Sequence, residues 1–211
     1  IPATVSNESI EYTIISIESD AFSSIDRNQF QILYLPHTLI GIGNGAFMLF
    51  SNLRTIGYIN ENDEMINDTF PPKLKRLNEK NFWHCEKITT LDLNNVVILD
   101  SCCLQYCFQL ENLKLRKVEV IGEFSLFSTN ITTLELPSTL KEIRTNAFVQ
   151  TQIVNLTGDV PNLEVIDSSF IGCIELLNIP KLTGIVELKN FAFAGCCNLT
   201  EVHCGPKLAS I

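Results

Sequence analysis

ITTLELPSTLKEIRTNAF, residues 131–148, holds two apolar patterns back to back. Leu134 and Leu136 alternate with Thr133 and Glu135, the period of a strand with one buried and one exposed face. Leu140 and Ile143 follow with polar residues between them, and Ala147 and Phe148 close the segment. A unit this short cannot bury its own apolar side, and only stacking against copies of itself completes a core.

The copies are present. Taking Phe148 as an anchor, equivalent residues are Phe22, Phe47, Phe82, Leu104, Leu126, Phe170 and Phe193, at intervals of 25, 35, 22, 22, 22, 22 and 23 residues along the chain. Five residues before each anchor stands an aliphatic side chain: Ile17, Ile42, Leu77, Leu99, Ile121, Ile143, Val165 and Leu188. Directly before it the residue is usually small, as in Ala21, Ala46, Cys103, Ser125, Ala147, Ser169 and Ala192. After it comes a short strand, as in ITTLDL at 88–93, LENLKL at 110–115 and ITTLEL at 131–136. A period of 20 to 29 residues with this pattern is a leucine-rich-repeat spacing. We expect an α/β-type leucine-rich-repeat solenoid of about eight repeats, rich in short parallel strands and joined by short helical turns.

The eight cysteines follow the same columns. Cys85, Cys107, Cys173 and Cys196 all lie three residues after the anchor, where other repeats place Ile25, Phe50, Thr129 and Thr151. Cys103 fills the small column and Cys204 the last strand column, which leaves Cys102 and Cys197 off pattern. Cysteine suits a buried column as a small hydrophobe. The paired C-x-x-C spacings of a zinc site do not occur, so we expect no metal and no cofactor. Neighbouring strands lie about 4.8 Å apart, close enough for Cys85 and Cys107 or Cys173 and Cys196 to bridge, but stacking already supplies the core that disulfide scaffolds lack. Free thiols are the expectation.

Composition narrows the function. With 15 Lys plus Arg against 24 Asp plus Glu, the net charge is −9 and no basic cluster stands out, which argues against nucleic acid. No apolar run is long enough to span a bilayer, so no direct membrane insertion is expected within this segment. The chain does not begin with Met and reaches Ile211 on the first apolar position of a further turn. We therefore read residues 1–211 as a single repeat domain from a longer array.

The recurring pattern, visible in IGNGAFMLFSNLRTI, LKNFAFAGCCNLTEV and LPSTLKEIRTNAFVQT, resembles the BspA-like class of leucine-rich repeats from about residue 14 to 211. The resemblance implies a right-handed superhelix found in surface antigens of bacteria and parasitic protozoa. It also implies adhesion to host extracellular matrix or cells, and a cell-surface or secreted setting. An intracellular scaffold that docks protein partners in the cytoplasm is the alternative.

Two departures from the pattern carry expectations of their own. Residues 58–70, YINENDEMINDTF, lengthen the second repeat; their acids lack the order of a calcium loop, and a solvated insertion loop is expected. Pro180 occupies a strand position of the seventh repeat, where it cannot donate to a ladder and should break pairing.

No catalytic constellation emerges. His37, His84 and His203 fall in different repeat phases, and the nucleophile, metalloprotease and phosphate-loop motifs are missing. His84 beside Cys85 and His203 beside Cys204 point to opposite sides of their backbone. A non-catalytic binding module for protein or glycan ligands is the stronger reading. Outward strand positions should form the ligand-binding concave face, with Tyr34, Asp92, Asn112, Lys114, Glu135, Thr157, Glu201 and His203 as candidates. Trp83, the only Trp, is either convex packing or an exposed patch. Five glycosylation sequons, at Asn7, Asn67, Asn130, Asn155 and Asn198, fit a surface glycoprotein, although chance spacing of these residue types already yields about 2.7. A glycan on Asn155 would obstruct the concave face.

Overall fold

A computed structural model describes residues 1–7 and 10–211, together with the side chains of all of these except 6, 7 and 10. An antiparallel hairpin, β1 (Thr4–Asn7) and β2 (Ile10–Thr13), stands at the amino-terminal end. Beyond it the chain winds through about eight coils whose strands stack in register into two ladders.

The first ladder is built from the alternating segments. Its strands are β4 (Ile32–Pro36), β6 (Thr55–Ile59), β9 (Thr90–Asp92), β11 (Asn112–Lys114), β13 (Thr133–Leu136) and β15 (Asn155–Gly158). All pairings between neighbouring coils are parallel, for example Leu113 with Leu91 and Leu134 with Leu156. The buried partners point inward and their neighbours outward, as the period of two requires.

The second ladder is made of very short strands: β3 (Ser16–Ile17), β5 (Gly41–Ile42), β8 (Arg76–Leu77), β10 (Ile98–Leu99), β12 (Val120–Ile121), β14 (Glu142–Ile143), β16 (Val165–Asp167) and β17 (Glu187–Lys189). Six of these, β8 to β17, form one continuous parallel sheet. Its register corrects one sequence assignment. Ile166, not Val165, is the partner of Ile143 and Leu188, so the seventh coil reaches its anchor with one residue fewer.

The third side contains turns where helical turns were expected. Among the described residues the one helix is a short 3-10 segment, Arg27–Gln29. Here alternate residues donate to the next coil: Lys80, Phe82 and His84 to the carbonyls of Ser101, Cys103 and Gln105, then Cys102, Leu104 and Tyr106 to those of Glu123, Ser125 and Phe127. Except at Ser24 and Phe191, the residues two before and two after the anchor adopt positive φ, as at Lys80 (55°), His84 (57°), Cys102 (58°) and Tyr106 (64°). A side chain in this conformation costs roughly 1–2 kcal/mol. Cys102 thereby acquires a column after all, half-buried in the left-handed one.

Buried side chains fill the space between the three sides. Phe22, Phe47 and Phe82 stack at centroid spacings of 5.2 and 5.5 Å, and Phe148, Phe170 and Phe193 at 4.9 and 5.4 Å. Leu104 and Leu126 continue the column between these two stacks.

All eight thiols are free. The four cysteines after the anchor donate to the anchor carbonyl of the preceding coil: Cys85 to Phe47 at 3.2 Å, Cys107 to Phe82 at 3.4 Å, Cys173 to Phe148 at 3.2 Å and Cys196 to Phe170 at 3.1 Å. Thr129 and Thr151 instead donate within their own coil, to Leu126 and Phe148. Six of the eight positions in this column are therefore buried donors, each with its polar atom satisfied, and Ile25 and Phe50 fill the other two without one.

The insert in the second repeat is a hairpin arm where an open loop was expected. β7 (Met65–Asn67) folds back antiparallel on β6, pairing Tyr58 with Ile66, and Thr69 then bridges to Asp92. Gly57 makes this approach possible, since a Cβ there would collide with the Ile66 carbonyl. Pro180 acts as its chemistry requires. Around it the first ladder is reduced to isolated bridges, Asn155 with Asn178 and Leu182 with Cys204.

Candidate functional site

The break created by the hairpin shapes a groove of about 650 Å³ between Tyr58, Asn67 and Asp68 on the arm and Asp92, Lys114 and Arg116 on the ladder. A second groove of about 510 Å³ shares Lys114 and Arg116 and extends to Glu135 and Ser138. Asp92 and Lys114 are direct Cα partners, so the ladder itself sets these opposite charges side by side.

Asp92 organises the centre. Both of its oxygens accept from Arg116, at 3.0 and 3.1 Å to Nε and 2.6 Å to Nη2, and Oδ1 also accepts the Asn94 N–H at 2.9 Å. Partial burial pushes its carboxyl up. The Arg116 guanidinium, the Asn94 N–H and the Lys114 charge outweigh that and leave it below the usual carboxylate range. Arg116 is correspondingly held charged and fixed in direction, while Lys117 donates to Asn95 at 2.8 Å. The bidentate geometry gives the groove a rigid polar wall.

The sequence-derived candidates divide into three groups. Asp92, Asn112, Lys114, Glu135 and Thr157 face outward on consecutive strands. Tyr34 is instead tied to the arm, its hydroxyl donating to Asn67 Oδ1 at 2.6 Å. Glu201 and His203 pair with each other at 3.2 Å near the carboxyl end, beyond the break at Pro180. Sequence reasoning did not single out Arg116, Lys117, Asn94, Asn95 or Tyr58. The first four follow their strands in the turn, where no alternation marks orientation, and Arg116 and Asn94 have positive φ of 47° and 49°.

The sequons differ in their surroundings. Asn198 is exposed. Asn130 Nδ2 donates to Glu111 at 3.0 Å, and Asn155 Oδ1 accepts from Asn178 at 2.7 Å on the ladder face. The side chain of Asn7 lies outside the described residues.

The buried thiols are poor nucleophiles. Burial pushes Cys107 and Cys173 up to about 12 and Cys196 to about 11, and Cys85 and Cys103 rise well above the usual thiol range for the same reason. His84 packs edge-on against Trp83 and tilted against Tyr106 while the Cys85 thiol is turned inward to Phe47, so the two adjacent side chains point apart. No described helix is long and apolar enough to cross a membrane.

Comparisons with known proteins agree with this architecture. A leucine-rich cell-surface protein from Faecalibacterium prausnitzii superposes with a TM-score of 0.59 at 18% identity, over 99% of this chain and 69% of that one. The pneumococcal vaccine antigen PcpA gives 0.66 at 16% identity, over 99% and 60%. The leucine-rich-repeat protein of T. pallidum gives 0.54 at 18% identity, over 90% and 73%. At these identities the likeness is one of fold. The chain spans 60 to 73% of these proteins. No curated protein matches it. The model of the BspA type leucine rich repeat region matches residues 3–69, 60–155 and 151–211 with six copies. The chain belongs to the BspA-type leucine-rich-repeat family.

Proposed function

We propose that this chain is a non-catalytic binding module of a cell-surface or secreted protein, one unit of a longer right-handed repeat array, and that it holds a protein or glycan ligand on its first ladder. The observation that carries this reading is the open polar face over Asp92, Lys114, Arg116 and Glu135, where two grooves meet. Its charges are mixed and prearranged, which favours specificity for a complementary polar surface over bulk hydrophobic capture. A surface setting is supported by the family and by the cell-surface protein of similar fold. Host matrix proteins are the first partners to try, in keeping with an adhesin-like antigen.

The test is binding of the 211-residue protein to a panel of immobilised matrix proteins and to a glycan array, with the double variant Lys114→Ala, Arg116→Ala alongside. A ligand lost on that double substitution supports the reading. Ligands that bind both forms equally, or none at all, refute it.

The eight free thiols favour a second reading, an intracellular scaffold in a reducing compartment. Labelling intact source cells with a membrane-impermeant reagent, then mapping labels and glycans on Asn67, Asn130, Asn155 and Asn198, separates the two. Labels only after lysis select the scaffold.

A further inference from the structure

The left-handed positions of the turn face distinguish what the fold requires from what it tolerates. Two residues before the anchor, the first, second, sixth and seventh coils carry Asp20, Gly45, Asn146 and Ser168; two after it, the last four carry Ser128, Gln150, Gly172 and Gly195. Glycine, asparagine and small polar residues suit such a backbone. The middle coils place His84, Tyr106 and Phe124 there, with φ of 57°, 64° and 53°. His is one of the residues enriched in that conformation, but the rings of Tyr106 and Phe124, like Leu49 of the second coil, are a poor choice for it, so the backbone conformation does not account for those two rings.

These rings form a strip. Centroids lie 4.2 Å apart for Trp83 and His84, 4.4 Å for His84 and Tyr106, 5.4 Å for Tyr106 and Phe127, and 5.6 Å for Phe127 and Phe124; Phe108 lies 5.7 Å from Tyr106. None belongs to the buried core, and Phe108 is 47% exposed. Trp83 is locked in place by a 3.0 Å bond from Nε1 to Gln105 Oε1. At one end, His84, Glu86 and Asp26 border a groove of about 430 Å³. The arrangement has the marks of an interaction hot spot: preorganised, aromatic and half open.

Charge indicates what covers it. Glu86 flanks the strip at one edge, its Oε1 3.3 Å from His84 Nδ1 and its side chain 43% exposed, and Glu123, also exposed, flanks Phe124. The nearby cations have partners of their own, Lys80 with Glu79 at 3.0 Å, Lys87 with Asn52 at 2.6 Å, Arg144 with Glu142 at 3.1 Å, and Arg27, which lines the same groove, through Nε with the Phe22 carbonyl at 3.2 Å. Ring faces beside carboxylates attract guanidinium and ammonium groups through cation–π and ionic contacts. A second copy of a chain carrying −9 would bring like charge against like.

We propose that the turn face of the middle coils is a second docking surface, separate from the first ladder, and that its occupant is an Arg- or Lys-bearing segment of a protein partner. The proposal does not depend on what the first ladder binds. Trp83 is the only Trp, so its fluorescence reports on this surface alone. We would titrate the 211-residue protein with a twelve-residue alternating Arg-Gly peptide, with Glu-Gly and Ser-Gly peptides as controls. The Arg-Gly peptide should change the Trp83 emission saturably, and Phe108→Ser or Glu86→Gln should each weaken it about fivefold, the size of one exposed cation–π contact. Lys114→Ala should leave it unchanged. Should Phe108→Ser unfold by circular dichroism, Glu86→Gln still decides. No saturable change at millimolar peptide, equal binding of the Glu-Gly peptide, or indifference to both substitutions overturns the proposal. So does displacement by a neutral oligosaccharide, which would make the strip a glycan site, or self-association that Phe108→Ser abolishes, which would make it a homotypic contact.

Discussion

The two ladders run side by side through the same coils, yet one is continuous from β8 to β17 and the other is cut into pieces. The second ladder uses two- and three-residue strands whose spacing from the anchor changes by only one residue. The first ladder carries the irregular features, the arm at 58–70 and Pro180, and both the groove beside the arm and the one adjoining it lie against it. One ladder holds the stack together and the other varies. Binding surfaces belong on the face that can change without unwinding the coil.

If that division is right, a core deletion should damage both ladders at once. Phe82→Ala removes a fully buried ring from the stack under both, and should cost about 3–5 kcal/mol in urea unfolding, with amide protection falling on both sides. Gly57→Ala should be smaller and one-sided. It pushes the arm off β6, at a cost of about 1–3 kcal/mol, and amide exchange should quicken in β7 while β10, β12 and β14 keep their protection. Loss of protection in both ladders would contradict the division.

The thiol column supplies a third test. Cys107→Ala deletes a buried donor to Phe82 and leaves a small void, for about 1–2 kcal/mol. At pH 8 in the native protein, iodoacetamide should react first with exposed Cys197, then with half-buried Cys102, and with Cys85, Cys103, Cys107 and Cys173 only after denaturation, because burial raises their pKa and withholds the thiolate.

The Asp92–Arg116 pair should have a smaller effect that depends on pH. A carboxyl lowered in the folded state stabilises it above its unfolded pKa of about 3.9, and that contribution is lost as pH falls through the lowered value. The difference in stability between the natural protein and Arg116→Gln should therefore be present at neutral pH, shrink below about pH 4 and weaken with added salt. A difference that grew on acidification would show that Asp92 is not the partner that matters. The smallest effect is expected of Pro180→Thr. One regained ladder bond is worth about 0.5–1.5 kcal/mol and the freed unfolded chain takes back about 0.4–1 kcal/mol, so stability should move by less than about 1 kcal/mol.

The sequence was most legible where a side chain repeats at constant spacing and is buried. The anchor, the Cys and Thr column and the alternating strands of the first ladder were all readable, because burial tolerates so few residue types there. Of the second ladder the buried column was readable and the strands were not, since strands of two residues contain no alternation to read, and the slip from Val165 to Ile166 appears only once neighbours are paired. The candidate surface was legible in its strand residues and not in its turn residues. Arg116 and Asn94 have positive φ, and a period of two assigns no direction to such positions.

The sequence by itself determined that similar units must stack, that their apolar columns form the core, and that six of the eight cysteines are packing residues. Those conclusions need only the spacing of apolar residues and the fact that one short unit cannot exclude water from its own buried side. The tertiary structure decided the rest. It brought Lys114 and Arg116 of one coil onto Asp92 of the coil before, turned the insert into an arm that walls a groove, and lined up aromatic rings from separate coils on the turn face. These neighbours are more than twenty residues apart in the chain, and only the register between coils sets which of them meet.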